Sequence, residues 1–139
     1  MINVVYPSDF SKLENTTTEN LPEGFQITPT IGAHKLYTSV KPWNSARRNC
    51  YDVGGHLAVV DSAAELEVLK KLVVNGTAWI GVHRLFKADE YDTIHDAPME
   101  FVSWAPKEPE NKNCIGLGSD GFDAEDCIKL MNYICEIKI

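Results

Sequence analysis

The sequence contains no run of about 18 apolar residues, so no segment of it is expected to span a membrane. Positive charge is also scarce: 13 Lys and Arg stand against 20 Asp and Glu, for a formal net charge of -7. A surface of that sign repels phosphate backbones and anionic headgroups, which argues against nucleic acid and membrane-surface partners. The H-E-x-x-H, G-x-S-x-G, P-loop and G-x-G-x-x-G patterns are all missing, so metalloprotease, acyl, phosphoryl and dinucleotide chemistry lack their motifs. His34, His56, His83 and His95 show no metal-ligand spacing. Glu108 and Glu110 are the right residue type for a glycosidase pair, but they share one loop with a lysine. The chain is not expected to be an enzyme.

What is present starts with four cysteines, Cys50, Cys114, Cys127 and Cys135, spaced by 64, 13 and 8 residues. None of these spacings makes a C-x-x-C zinc knuckle, so two disulfides are the expected state. Four cysteines permit three connectivities, and spacing does not choose among them. Disulfides belong to oxidising compartments, and two N-glycosylation sequons, at Asn15 and Asn75, point the same way. The expected localisation is secreted and extracellular. Met1 to Pro7 lack the basic start, apolar stretch and small-residue cleavage site of a signal peptide, so the leader is expected to have been trimmed from this sequence.

A length of 139 residues with 44% hydrophobic content suits one domain with one sizeable core. Residues 1–31, rich in Thr, Asn, Glu and Pro, read as an extended N-terminal segment, and residues 32–139 as the compact domain. His34 to Val40 alternates in polarity and reads as a strand. Pro42 suits a helix start, and Trp43, Ala46, Cys50 and Val53 follow at three- or four-residue spacing until Gly54-Gly55. His56 to Val60 reads as a short buried strand. Ser62-Ala63-Ala64-Glu65 is a capping box, opening a second helix that runs to about Leu72 with Leu66, Leu69 and Val73 inward. Ala78 to Val82 is a core strand, and after it the chain turns loop-rich until the short strands Cys114–Leu117 and Tyr133–Glu136. The class is α+β, and the long loop is the place to look for function.

Four separated segments resemble the C-type lectin-like fold: His34-Lys35-Leu36-Tyr37 through Gly55-His56-Leu57-Ala58; Trp79-Ile80-Gly81-Val82; Trp104 with Glu108-Pro109; and Asp120-Gly121-Phe122 through Cys127 to Tyr133-Ile134-Cys135-Glu136. Gly81 to Phe86, Asp92 to His95 and Trp104-Ala105-Pro106 are similar to insect haemolymph C-type lectins, including lipopolysaccharide-binding ones. The resemblance implies two helices, small antiparallel sheets, a long loop region, and disulfides Cys50 to Cys135 and Cys114 to Cys127. It also implies that Trp43, Trp79 and Trp104 anchor the core.

Sugar-binding members of that family hold a calcium ion with a Glu-Pro-Asn triplet, a later glutamate and an Asn-Asp pair, and calcium takes about six to eight oxygens. Here Glu108 and Pro109 match, the third position is Glu110, and Lys112 stands where the glutamate is expected. Phe122-Asp123-Ala124 keeps one of the last two ligands. Arg84 and Ala88 replace the acidic pair of the auxiliary site, which is therefore expected to be lost. Three carboxylates, Glu108, Glu110 and Asp123, remain as candidate calcium ligands, and calcium dependence stays open. The resemblance implies a recognition module for carbohydrate or microbial surface glycan of lipopolysaccharide type, with Glu108, Pro109, Glu110, Asn111 and Asp123 as ligand-binding residues. The alternative is a calcium-independent domain that binds a protein through the same loops or the Arg84 surface. The sequence sets no oligomeric state.

Overall fold

The computed structural model describes residues 21–139. The Asn15 sequon and most of the N-terminal segment lie outside the described residues. Among the described residues eight strands join in one connected network. Strand β1 (Gln26–Thr28), inside the segment read as an N-terminal extension, pairs antiparallel with β2 (Gly32–Lys41). Helix α1 (Trp43–Asp52), strand β3 (His56–Leu57), helix α2 (Ala63–Leu72) and strand β4 (Ala78–His83) follow. Beyond the short β5 (Asp92–Thr93) and the long loop come β6 (Cys114–Gly118), β7 (Gly121–Glu125) and β8 (Met131–Ile137). The order is β1-β2-β8-β4-β6-β7, with β3 on β8 and β5 on β4. The β4–β8 pair is parallel and the other pairs are antiparallel. Among the described residues no helix is long and apolar enough to cross a membrane.

Each element has a local cause. Trp43, Ala46 and Cys50 place the buried stripe of α1 against the sheet. That helix stops because Gly54 takes a left-handed φ of 94° while the Gly55 N–H reaches back to the Cys50 carbonyl at 2.9 Å. A Cβ on Gly55 would sit 2.2 Å from the Glu136 carbonyl oxygen, so only glycine lets α1 pass this close to β8. Helix α2 begins where the Ser62 hydroxyl accepts the Glu65 N–H at 3.1 Å. Glu65 does not close the other half of a capping box: its Oε1 accepts the Asp61 N–H at 3.1 Å. The strand expected over residues 56–60 is regular only at His56–Leu57, because the Val59 N–H turns to the Glu136 carboxylate at 3.0 Å.

The core forms two clusters, one around Trp43, Trp79 and Tyr133, the other around Leu66, Leu69, Ile80, Ile115, Phe122 and Ile134. Both fully buried indoles find carbonyls: Trp43 Nε1 donates to Ile80 O and Trp79 Nε1 to Lys41 O, each at 2.9 Å. Trp104 is partly buried and packs on the second cluster. Disulfides join Cys50 to Cys135 and Cys114 to Cys127, so the first ties α1 to β8 and the second staples the end of the long loop to the segment after β7.

Candidate functional site: the long loop and its carboxylates

The loop from residue 84 to 113 rests on an aromatic underlayer. Trp104 lies against Tyr91 and Phe122 with ring centroids 5.4 and 6.3 Å apart. Backbone bonds from Phe122 N to Ser103 O (2.7 Å) and from Ala105 N to Phe122 O (2.8 Å) fasten the loop to β7. Gly121 allows this contact, since a Cβ there would meet Ser103 O at 2.5 Å. On this base the chain turns through Lys107, with φ of 71°, into a cis Glu108–Pro109 bond.

Of the five sequence-predicted residues, Glu108, Pro109, Glu110 and Asn111 lie along this loop ridge and Asp123 beside it on β7, and their side chains face different partners. Glu108 Oε1 accepts two backbone donors, Glu110 N at 3.0 Å and Ala124 N at 2.9 Å. Exposed Glu110 pairs with the Lys112 ammonium at 3.4 Å. The Asn111 side-chain oxygen accepts from Arg84 Nη2. Asp123 receives the Thr77 hydroxyl at 3.4 Å, and its Oδ1 is buried without a partner. Burial, and then the charges of Glu125 and Glu108, push the Asp123 carboxyl up to about 6.

Among the described residues, the set of three or more His, Cys, Asp or Glu side chains with ligand atoms within 4.8 Å of one another is His34, Glu65 and Glu136. Glu108, Glu110 and Asp123 are not gathered into such a set. A calcium ion needs about six to eight oxygens at roughly 2.3 to 2.6 Å. Here the inner oxygen of Glu108 is committed to two N–H groups, and cationic side chains stand against Glu110 and Asn111. The residues present do not fit the ion.

Sequence reasoning missed three features. Arg84 bonds Asn111 and also Asn113, whose Oδ1 accepts from Arg84 Nε at 3.0 Å. Tyr91 donates its hydroxyl to Lys112 O at 2.7 Å. The third is the buried trio, in which His34 Nε2 lies 3.1 Å from Glu65 Oε2 and 3.9 Å from Glu136 Oε1. Burial alone raises the Glu65 carboxyl, but hydrogen bonds from His34 and the Asp61 N–H outweigh it and the net shift is downward. Burial, and then the neighbouring Glu65, raise Glu136. No spacing rule finds this trio, because its members come from β2, α2 and β8. Asn75 of the second sequon is exposed just after α2.

A long loop pinned to a sheet edge, two disulfides and two flanking helices define a lectin-like recognition fold, and comparison with known proteins agrees. Residues 39–137 match the model of the Lectin C-type domain, and the chain belongs to that family. Its members are recognition modules for glycans or proteins and not enzymes. The chain is similar to the Hemolymph lipopolysaccharide-binding protein of Periplaneta americana, 27% identical over 89% of this chain and 56% of that one, so it spans about half of that relative. It is also similar to the Type-2 ice-structuring protein of Hemitripterus americanus, at 29% identity over 80% of this chain and 73% of the other. In fold it matches the mouse scavenger receptor C-type lectin carbohydrate-recognition domain, with TM-score 0.79 and 23% identity over 84% of this chain and 95% of the other. A calcium-independent type II antifreeze protein superposes with TM-score 0.77 at 24% identity, covering 84% and 93%.

Proposed function

We propose that this is a secreted recognition domain that binds carbohydrate on microbial surfaces, including lipopolysaccharide-type glycan, through the ridge of Glu108, Pro109, Glu110, Asn111 and Asp123, and does so without calcium. The observation that carries the reading is the Lys112 ammonium 3.4 Å from Glu110, which sets a fixed positive charge and an acceptor carboxylate side by side on an exposed ridge. Sugar hydroxyls both donate and accept, so such a pair, with the Asn111 amide beside it, offers matching partners without a metal. The name of the cockroach relative supports a lipopolysaccharide-type ligand, and the calcium-independent antifreeze protein supports a member of this fold that works without the ion. Secretion is supported by the two disulfides and by the haemolymph relative.

A second reading, binding to a protein, is favoured by the exposed apolar side chains Leu85, Phe86 and Val102 on the same loop, with Phe86 81% exposed. An array of bacterial polysaccharides, probed in calcium and in chelator, separates the two. Carbohydrate recognition by this ridge gives the same selective signals in both buffers. A protein binder gives none in either.

A further inference from the structure

The ridge is a loop with little regular structure, yet three consecutive residues behind it are each held from the same side. Arg84 is the first residue after β4 and its N–H bonds the Asn113 carbonyl at 2.8 Å, closing the stems of the loop where β6 begins. The guanidinium then uses two further donors. Nε reaches Asn113 Oδ1 at 3.0 Å, and Nη2 reaches Asn111 Oδ1. Its carbon lies 5.2 Å from the centroid of the Tyr91 ring, and Tyr91 in turn donates its hydroxyl to the carbonyl of Lys112, the residue between those two asparagines. The same hydroxyl lies 3.5 Å from the Glu110 carbonyl. Arg84 is therefore spent on amide oxygens and an aromatic face.

We infer that Arg84, braced by Tyr91, is the positioning residue of the recognition ridge: its planar fork fixes residues 110–113 as a covalently built-in cation, so that the order of this loop depends on no dissolved ion. The inference rests on the reading that this ridge is the binding face. The fork geometry matters, because two amide oxygens two residues apart are met by donors in one plane, which an ammonium does not offer. An aromatic face beneath the guanidinium holds that plane while leaving its edge to the loop.

The test is amide hydrogen exchange of residues 108–113 in the ligand-free protein, in calcium and in chelator. The variants are Arg84→Met, Arg84→Lys, Asn111→Ala and Tyr91→Phe. The expected result is exchange faster by about tenfold in Arg84→Met and Arg84→Lys, equally in both buffers, with the β4 and β8 amides unchanged. Asn111→Ala and Tyr91→Phe, which remove one arm each, show smaller increases and carry the test if the Arg84 variants do not fold. Wild-type exchange in all of these variants, or restoration of Arg84→Met by calcium, overturns the inference. Because exchange is read without ligand, wild-type protection in the variants refutes this inference whatever happens to glycan binding, whereas lost protection with intact glycan binding refutes the recognition reading alone.

Discussion

Glu108 and Ala124 are joined by a hydrogen bond in which the carboxylate accepts the backbone N–H at 2.9 Å. By the lectin resemblance, Ala124 occupies the place of an acidic calcium ligand. Here the bond between the two positions runs through the protein itself. The Ala124 methyl offers no oxygen, and the Glu108 oxygen that faces it already has two donors. This relationship, together with the Lys112–Glu110 and Arg84–Asn111 pairs, gives protein partners to loop groups at or beside the positions that the resemblance assigns to calcium ligands.

Returning a missing ligand is expected to create a weak calcium site. The variant Lys112→Glu removes an ammonium and adds a carboxylate beside Glu110. Its melting temperature should rise on adding millimolar calcium, by the mass-action stabilisation of a ligand that binds only the folded state. A thermal melt of variant and wild type in calcium and chelator checks this; a variant as indifferent to calcium as the wild type contradicts it.

Asp123 gives a pH signature. Its carboxyl sits at about 6 in the folded chain against 3.8 as the ordinary value. The folded state therefore holds a proton that the unfolded state has released, and stability falls as pH rises from about 4 to about 6, then levels. Asp123→Asn removes this slope. Discounted for the solvent that reaches the side chain, the variant should exceed the wild type by about 1–2 kcal/mol at pH 7.5 and match it at pH 3.5. Urea denaturation at the two pH values reads the difference, and equal stability at both refutes the assignment.

The His34, Glu65 and Glu136 trio binds β2 and β8 to the start of α2 in a site closed to water. His34→Leu leaves two buried carboxylates facing each other without the ring that bridges them. The expected cost is about 3–5 kcal/mol at pH 7, the range seen when one partner of a buried pair is removed. Adding Glu65→Gln and Glu136→Gln to the same chain should recover part of it. A loss below about 1 kcal/mol in equilibrium unfolding would show that the trio is not coupled as described.

The two disulfides are expected to contribute unequally. Their sequence separations are 85 and 13 residues. Chain-entropy arguments give about 4.5 kcal/mol for the long closure and roughly 3 for the short one. Replacing each pair by alanine and comparing denaturation midpoints checks the order. A larger loss from Cys114 and Cys127 would locate their role in native packing of the loop rather than in the unfolded chain.

Much of the scaffold was legible because its residues obey local rules. The Trp43, Ala46, Cys50 spacing marked α1 and the Ser62–Glu65 cap marked α2, with both helix ends within a residue of the reading. Strand β7 was not read as a strand between those at 114–117 and 133–136, although Phe122 and Ala124 point inward between half-buried Asp123 and Glu125, because its charged residues masked a two-residue period. The trio and the Arg84 clamp had no local signal at all. His34 lies 31 residues from Glu65, and Arg84 lies 27 and 29 residues from its two asparagines. Only the fold brings them together. The ridge residues were found by resemblance, but their divergent partners depend on side-chain directions that no spacing encodes.

The measurement that bears most directly on this account is a calorimetric titration of the wild-type chain with calcium, paired with thermal melts in calcium and in chelator. The account predicts no heat of binding and superimposable melts, because Arg84 and Lys112 already stand where the loop would need a cation. A saturable heat with a raised melting temperature would contradict it and return Glu108, Glu110 and Asp123 to the role of calcium ligands.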